Sequence, residues 1–487
     1  MIVKNIFKAI MAAGMLASAV GLAMPPLTER TLSSRNGRGG GNLVFCHFMM
    51  GIVGTRTSSS EYDEDMRRAQ AAGIDAFALN IGADQYTDAQ LALAYKSAAD
   101  NGMKVFLSFD FHSFDVGEAA RVGLMIAKYA SLPAQLRVDG KVFASSFVGD
   151  GFDVAAMRTA AGIDIFWAPN VSPGSGSDFN ALDGAMNWLA WPSNGRNKAP
   201  DSSRVVSVGE GDGQYFAALA GKPYIAPISP WFFTHFGPEV PYSKNWVFPS
   251  DFLWYNRWRE VLSMMPRFLE ILTWNDYGES HYIGRLDSPH GDDGNSKWSH
   301  GFPHNGWLDM AQPFIKAFHD GAEDPKPYIK EDKIVYWFRP TLKGIDCDAT
   351  DTTMGDANNS SGNYFKGRPG GWESMRDDVF VVTLLTEPAT LTMTVSDKSK
   401  TVDAPAGAAK FSIGMTPGDV SFNLKRGSKT KLSGTAGMKI LDYCPCGIYN
   451  FNAYVGTIPP GKPDELQPAG YASIQNGLKV SSCGPRG

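Results

Sequence analysis

Residues 62–80 read YDEDMRRAQAAGIDAFALN. Over Tyr62–Ala72 the apolar positions recur at helical spacing, Gly73 stops the period, and Ile74–Asn80 is a short apolar run suited to a buried strand. A glycine at that junction supplies the left-handed residue that ends many helices. The same unit returns as Asp88–Asn101, Gly102 and Lys104–His112. Gly162 and Gly221 stand likewise before the runs Asp164–Asn170 and Pro223–Ser229. Asn42–Met50, Lys141–Phe147, Ala185–Trp191 and Arg267–Asp276 bring the candidate strands to eight, interleaved with helical stretches such as Glu118–Ala130, Gly213–Ala220 and Phe252–Met265 and closed by Gly306–Gly321. Eight strands alternating with helices over about 280 residues predict an α/β fold, a (β/α)8 TIM-like barrel, with chemistry on the loops after the strand C-termini. A doubly wound open sheet is the competing topology, but no G-x-G-x-x-G or G-x-x-x-x-G-K-[ST] loop follows any of these strands.

Glu323-Asp324 with Pro325 and Pro327 marks the exit from that region. Beyond it the texture changes to the alternations Val379–Leu385, Thr390–Val395, Lys410–Ile413 and Val420–Leu424, set apart by turn residues, which predict a C-terminal β-sandwich. Asp346–Gly371, polar and rich in Gly and Asn, reads as a surface loop. The expected organisation is a signal peptide over 1–23, a flexible leader over 24–41, a catalytic barrel over 42–328 and an accessory β-sandwich over 329–487.

The leader carries Lys4 and Lys8, an uncharged run from Ala9 to Met24, and then Pro25-Pro26. That layout fits a secretory signal peptide cleaved after Ala23 or Ala19; a membrane anchor is the competing reading, but it needs about 20 apolar residues and this run is shorter. With 43% hydrophobic residues and 29 Phe, 17 Tyr and 12 Trp, the chain can fill large cores. Lys plus Arg number 45 against 50 Asp plus Glu, a net charge of −5, with no basic cluster interleaved with aromatics, so nucleic acid is excluded as a partner. Of five cysteines, Cys347, Cys444, Cys446 and Cys483 fall in the last third, and an oxidising compartment predicts two disulfides among them. A Cys444–Cys446 bond would close a very tight ring, so Cys347 is expected to join one of that pair and Cys483 the other. Cys46, in an apolar run, is expected to be a buried free thiol. The C-x-C spacing is poor for zinc. Acceptor sequons stand at Asn170, Asn358 and Asn359.

Acids gather at the predicted strand ends. Asp110 closes the third strand, and Asp276 and Glu279 follow the eighth within Thr273–His281, TWNDYGESH. Two acids three residues apart, with Gly278 allowing a tight turn, can face one space in different environments, so that one keeps its proton while the other stays ionised. Glycoside hydrolysis needs that division of labour. Capping or a salt bridge is the competing role for Asp110. Sugar rings stack on aromatic faces, and Trp188, Trp191, Trp231 and Trp274 fall at or beyond strand ends, where subsite and packing roles compete. Trp254 and Trp258, at helical spacing, are expected in the core. Asn80, Asn170 and Asn275 close strands two, five and eight and could bind sugar hydroxyls; turn chemistry is their alternative. Neither H-x-H nor H-E-x-x-H occurs, so no metal or organic cofactor is expected; Asp110 with His112 only imitates the ligands of a polysaccharide deacetylase. No complete G-x-S-x-G motif supports a serine hydrolase.

The strings VFCHFMMG (44–51), GIDAFALN (73–80), Phe109-Asp110 and above all TWNDYGES (273–280) resemble fungal α-1,3-glucanases, the mutanases of glycoside hydrolase family 71, from about Asn42 to Pro340. The resemblance implies endo-hydrolysis of α-1,3-glucan with inversion by a secreted enzyme, expected to be a monomer. It places the family's acids on Asp276, Glu279 and Asp110. Trp274, Asn275, Tyr277 and His47 fall within the shared motifs and His281 directly follows one; all five are expected to touch substrate. Glu279 is the expected general acid and Asp276 the base, although chemistry alone allows the reverse. A non-hydrolytic glucan-binding protein on the same scaffold is the alternative of another class. No carbohydrate-binding module or Ser/Thr-rich linker is evident.

Overall fold

A computed structural model describes residues 41–201, 204–236, 244–291, 296–351 and 367–464. The signal peptide, the leader up to residue 40, Asn358, Asn359 and Cys483 lie outside the described residues. From the N-terminus the first strands are β1 (Leu43–Met49), β2 (Ala76–Ile81), β3 (Lys104–Asp110), β4 (Arg137–Val138), β5 (Lys141–Phe147), β6 (Ile165–Trp167), β7 (Ala185–Met186), β8 (Tyr224–Ile228), β9 (Phe233–Phe236), β10 (Lys244–Val247) and β11 (Phe268–Ile271). The helices are α1 (Asp63–Ala72), α2 (Thr87–Asp100), α3 (Ala119–Tyr129), α4 (Val154–Ala161), α5 (Val208–Leu219), α6 (Leu253–Met264), α7 (Ser296–Ser299) and α8 (Asn305–His319).

All eight strands expected between residues 42 and 276 are present. They form one curled sheet in the order β5-β3-β2-β1-β11-β8-β7, with β6 on β5 and the short β4 antiparallel at β5. Every other neighbour in it is parallel. A parallel bridge, Asn170↔Met186, links the segment after β6 to β7. Three strands, β6, β7 and β11, are much shorter than expected. β7 stops at Met186 because the Asn187 side chain accepts from Leu189 N (2.9 Å) and Ala190 N turns back to Trp188 O (2.8 Å), which ends the ladder. β11 stops at Ile271, and the chain doubles back through Thr273 N to His281 O (2.8 Å) and Ile283 N to Thr273 O (3.1 Å).

Alternation along the strands sorts two cores, as period two requires. Val44, Cys46, Phe77, Leu79, Val105 and Leu107 face the helices with Met66, Ala69 and Leu91. Phe45, Phe106, Phe143, Phe166 and Phe268 fill the concave face, their rings 4.7 to 6.0 Å apart. One step further along the strands that face turns polar: His47, Ser108, Ser145 and Glu270 are buried there. Gly73 ends α1 at φ +94°, its N–H reaching Ala69 and Gln70, and a Cβ there would meet Ile315 Cγ2 at 2.8 Å. Trp254 and Trp258 are fully buried on α6, as expected.

The C-terminal region holds β12 (Lys333–Phe338), β13 (Asp378–Leu385), β14 (Ala389–Val395), β15 (Lys398–Ala404), β16 (Gly407–Gly414), β17 (Val420–Arg426), β18 (Lys429–Thr435) and β19 (Tyr454–Ile458). They form two four-stranded antiparallel sheets, β16-β13-β12-β19 and β15-β14-β17-β18. Ile334, Tyr336 and Val381 of the first share a core with Leu391, Met393 and Phe422 of the second. Cys347 and Cys444 form a disulfide, Cys446 is also disulfide-bonded, and Cys46 is a buried free thiol. No helix among the described residues is long and apolar enough to cross a membrane.

Candidate active site

The loop after β11 carries the two acids. Trp274 N donates to His47 O (2.7 Å), and the Asn275 side chain spans the Met49 peptide, accepting from its N–H (2.7 Å) and donating to its carbonyl (3.2 Å). On the other side Phe233 N donates to Glu279 O (3.0 Å). The loop is thus clamped between β1 and β9. Within it, Asp276 N donates to Thr273 Oγ1 (2.9 Å) and Glu279 N to Asp276 Oδ1 (3.0 Å). Ser280 is buried at φ +57°, a left-handed conformation that a serine adopts only at a cost.

Three side chains converge. His281 Nε2 lies 3.2 Å from Asp276 Oδ2 and 3.3 Å from Glu279 Oε2, although neither contact is a well-aligned hydrogen bond. The acids keep 17% and 12% of their side-chain surface, whereas His281 keeps none, packed between Trp191 (5.2 Å) and Phe232 (5.5 Å). Lys244, at the start of β10, forms an ion pair with Glu279 Oε1. Asp276, Glu279 and His281 each offer a donor atom within 4.8 Å of the others, a spacing that a metal ion could use. Lys244 already delivers a cation to Glu279, and we assign no metal there.

Asp110 ends β3 with Oδ1 accepting from His112 N (2.8 Å). Burial raises its carboxyl above the ordinary range, opposed by the His112 N–H, His112 and His47, with Asp84 adding to the rise. His47 lies on the concave face, Nδ1 2.8 Å from Glu270 Oε1, its ring edge-on to Trp188 at 4.9 Å, and its Nε2 buried without a hydrogen bond. Asn80 is buried at the end of β2, on the same face.

Other expected substrate contacts are put to structural use. The Asn170 amide donates to Met186 O (3.1 Å) and Tyr215 Oη (3.3 Å) while its oxygen accepts from Val148 N (3.2 Å), holding the β6–β7 junction. Asn275 is consumed by Met49, as described. Trp274 faces the helices and donates to Asp65 Oδ1 (3.0 Å); Trp231 is buried and donates to Phe451 O (2.9 Å) in the C-terminal region. Tyr277 donates to Arg285 O (2.6 Å). In each case a polar group in a dry place takes the partner folding gives it. Lys244 and Glu270 went unmarked in the sequence. Glu270 is an acid inside the otherwise apolar run Phe268–Leu272, a signal that was there to be read.

A profile described as Glycosyl hydrolase family 71 matches residues 40–467. A mutanase of Penicillium rubens is 39% identical over 90% of this chain and 94% of its own length. The glucan endo-1,3-alpha-glucosidase agn1 of Schizosaccharomyces pombe is 35% identical over 85% of this chain and 94% of its own length. Among solved structures, an endo-alpha-mannosidase of family GH99 from Bacteroides thetaiotaomicron overlaps 57% of this chain and 97% of its own, at 13% identity and a TM-score of 0.43. With its acids gathered on one clamped loop and a family profile matched along nearly its whole described length, the chain belongs to glycosyl hydrolase family 71.

Proposed function

We propose that this protein hydrolyses the α-1,3-glucosidic bonds of α-1,3-glucan, acting within the chain and inverting the anomeric carbon. The observation that carries the chemistry is the convergence of Asp276 and Glu279 on His281 Nε2, at 3.2 and 3.3 Å; the likeness to proteins named mutanase and glucan endo-1,3-alpha-glucosidase supplies the substrate. Glu279, as general acid, gives its proton to the glycosidic oxygen as the bond from C1 breaks. Water attacks C1 and gives its proton to Asp276. His281, touching both, can return that proton to Glu279 for the next turnover. Asp110, His47 and Asn80, with Trp188 beside His47, would hold the sugar over the polar part of the concave face, whereas Trp191, buried against Phe248 and donating to Trp231 O (2.9 Å), backs His281.

Inverting pairs stand about 6.5–9.5 Å apart, and Asp276 and Glu279 offer oxygens within 4.8 Å of each other. Inversion therefore rests on the family resemblance and not on this separation. We read the curled parallel sheet as a (β/α)8 barrel over 42–328 and the two antiparallel sheets as a β-sandwich over 329–487. The leader's composition supports secretion to the medium or cell wall, and the enzyme is taken to work as a monomer without cofactor. Incubation with insoluble α-1,3-glucan, against α-1,4- and β-1,3-glucans, tests the substrate. Release of oligosaccharides from the first alone is expected, with a β-configured first product by NMR. No release from α-1,3-glucan would overturn the function, and an α-configured product would overturn inversion alone.

A further inference from the structure

One hairpin grips both the backbone and the carboxylate of Glu279. β9 and β10 pair from Lys244↔Phe236 to Val247↔Phe233. Phe233 N donates to Glu279 O, and the Lys244 ammonium meets Glu279 Oε1. The ammonium also lies 5.9 Å from the Trp246 ring on its own strand. Among the described residues, the other titratable groups that face the carboxylate are His281 at 3.3 Å and Asp276 within 4.8 Å, both on its own loop. Lys244 is carried by a different element, and is one-fifth exposed.

We propose that Lys244 is a positioning residue for the reaction, which holds the Glu279 carboxylate in place beside Asp276 and His281 and sets the pH range over which Glu279 works. The inference rests on the hydrolase reading above. An ammonium in contact favours the ionised carboxylate. A general acid ends its step in that form: the proton leaves Glu279 for the glycosidic oxygen, the C1–O bond breaks, and the negative charge left on Glu279 faces Lys244, which keeps all its own protons. Lys244 thereby makes Glu279 a stronger acid and stabilises it once spent, at the expense of activity at higher pH.

The test is the pH dependence of kcat/KM on soluble α-1,3-linked glucose oligosaccharides for the wild type, Lys244→Met, Lys244→Gln and Lys244→Arg. In the Met and Gln variants the limb belonging to Glu279 is expected to move up by at least about one pH unit, and in the Arg variant to stay in place. If Glu279 is the acid, the alkaline limb moves and the active range widens. If it is the base, the acidic limb moves and the range narrows; either shift supports Lys244 as the controlling charge. Limbs unmoved in folded Met or Gln variants would overturn it. Titration of the Glu279 carboxyl by 13C NMR needs no substrate, so it decides the matter even if α-1,3-glucan is not cleaved. A midpoint in the wild type at or above the ordinary carboxylate range would also overturn the proposal, whether or not the variants fold.

Discussion

Glu279 and Asp276 are three residues apart, and what brings them to one histidine is the turn at Tyr277–Ser280, with Ser280 at φ +57°. Glu279→Gln removes the proton donor and Asp276→Asn the base. Each is expected to lower kcat on α-1,3-glucan by roughly 10²–10⁴ while leaving the melting temperature near the wild-type value; turnover within a few-fold of wild type would remove that residue from its role. Gly284 limits the same loop sterically. Its N–H donates to Trp274 O (2.8 Å), and a Cβ would lie 2.7 Å from that oxygen and 2.8 Å from the indole, neither of which can retreat because Trp274 is also tied to Asp65. Gly284→Ala is expected to cost about 1–3 kcal/mol by denaturant unfolding and to reduce kcat, because the displaced backbone carries Asp276. With Lys244 supplying the countercharge to Glu279, EDTA is expected to leave turnover unchanged; loss with EDTA and recovery with a divalent ion would place a metal among Asp276, Glu279 and His281.

Among elements, the loop after β11 depends on segments far away in sequence. Asn452 donates to Tyr282 Oη (3.2 Å) and Trp298 O (2.9 Å), and His304 places its two nitrogens 2.9 Å from Tyr282 O and Ala453 O. The stretch Ile448–Ala453 thus backs the catalytic loop from behind. The Cys347–Cys444 disulfide anchors that stretch a few residues upstream and spans 97 positions. Closing a loop of about 100 residues limits the unfolded chain by up to about 4.7 kcal/mol, with about 2–5 kcal/mol seen on removal of native bridges. Replacing both cysteines by serine is expected to lower the denaturation midpoint accordingly, and activity should fall at temperatures where the wild type is intact. An unchanged midpoint would mean that the Cys446 disulfide and hydrogen bonds hold Ile448–Ala453 in place without it.

Over the whole molecule, Asp464 Oδ1 accepts from Leu286 N (2.9 Å), joining the C-terminal region to the end of the catalytic loop. Burial pushes its carboxyl up to about 6, opposed by Arg68, the Leu286 N–H and Arg285. Since the folded value lies above the unfolded one of about 3.9, the protonated form is the one folding favours. Its contribution is complete below about pH 4 and is lost as the pH rises through about 6. Asp464→Asn keeps the acceptor and removes the charge. It is expected to raise the melting temperature at pH 7.5 and to make little difference at pH 4; equal effects at both would show that charge burial is not the cause.

The sequence by itself determined the order of the eight parallel strands and most of the helices between them, because apolar periodicity and helix-ending glycines such as Gly73 are local; it missed β4, β9 and β10, and no α-helix joins β6 to β7. It marked Asp276 and Glu279, because acids at the end of an apolar run have no packing reason to be there. Cys46 as a buried thiol and Cys347 bonded to one of the Cys444/Cys446 pair were likewise legible. The destinations of amphipathic side chains were not. Asn170, Asn275, Trp231 and Trp274 look alike as residues at strand ends, and only tertiary structure supplied the peptide of Met49, the bridge to Met186, the carbonyl of Phe451 and the carboxylate of Asp65 that claim them. The pairing of Lys244 with Glu279 was equally out of reach, since a surface-type lysine between polar residues carries no mark of what faces it. Periodicity reports which side of an element is buried; which partner waits there depends on how distant segments pack, and that is set by the fold.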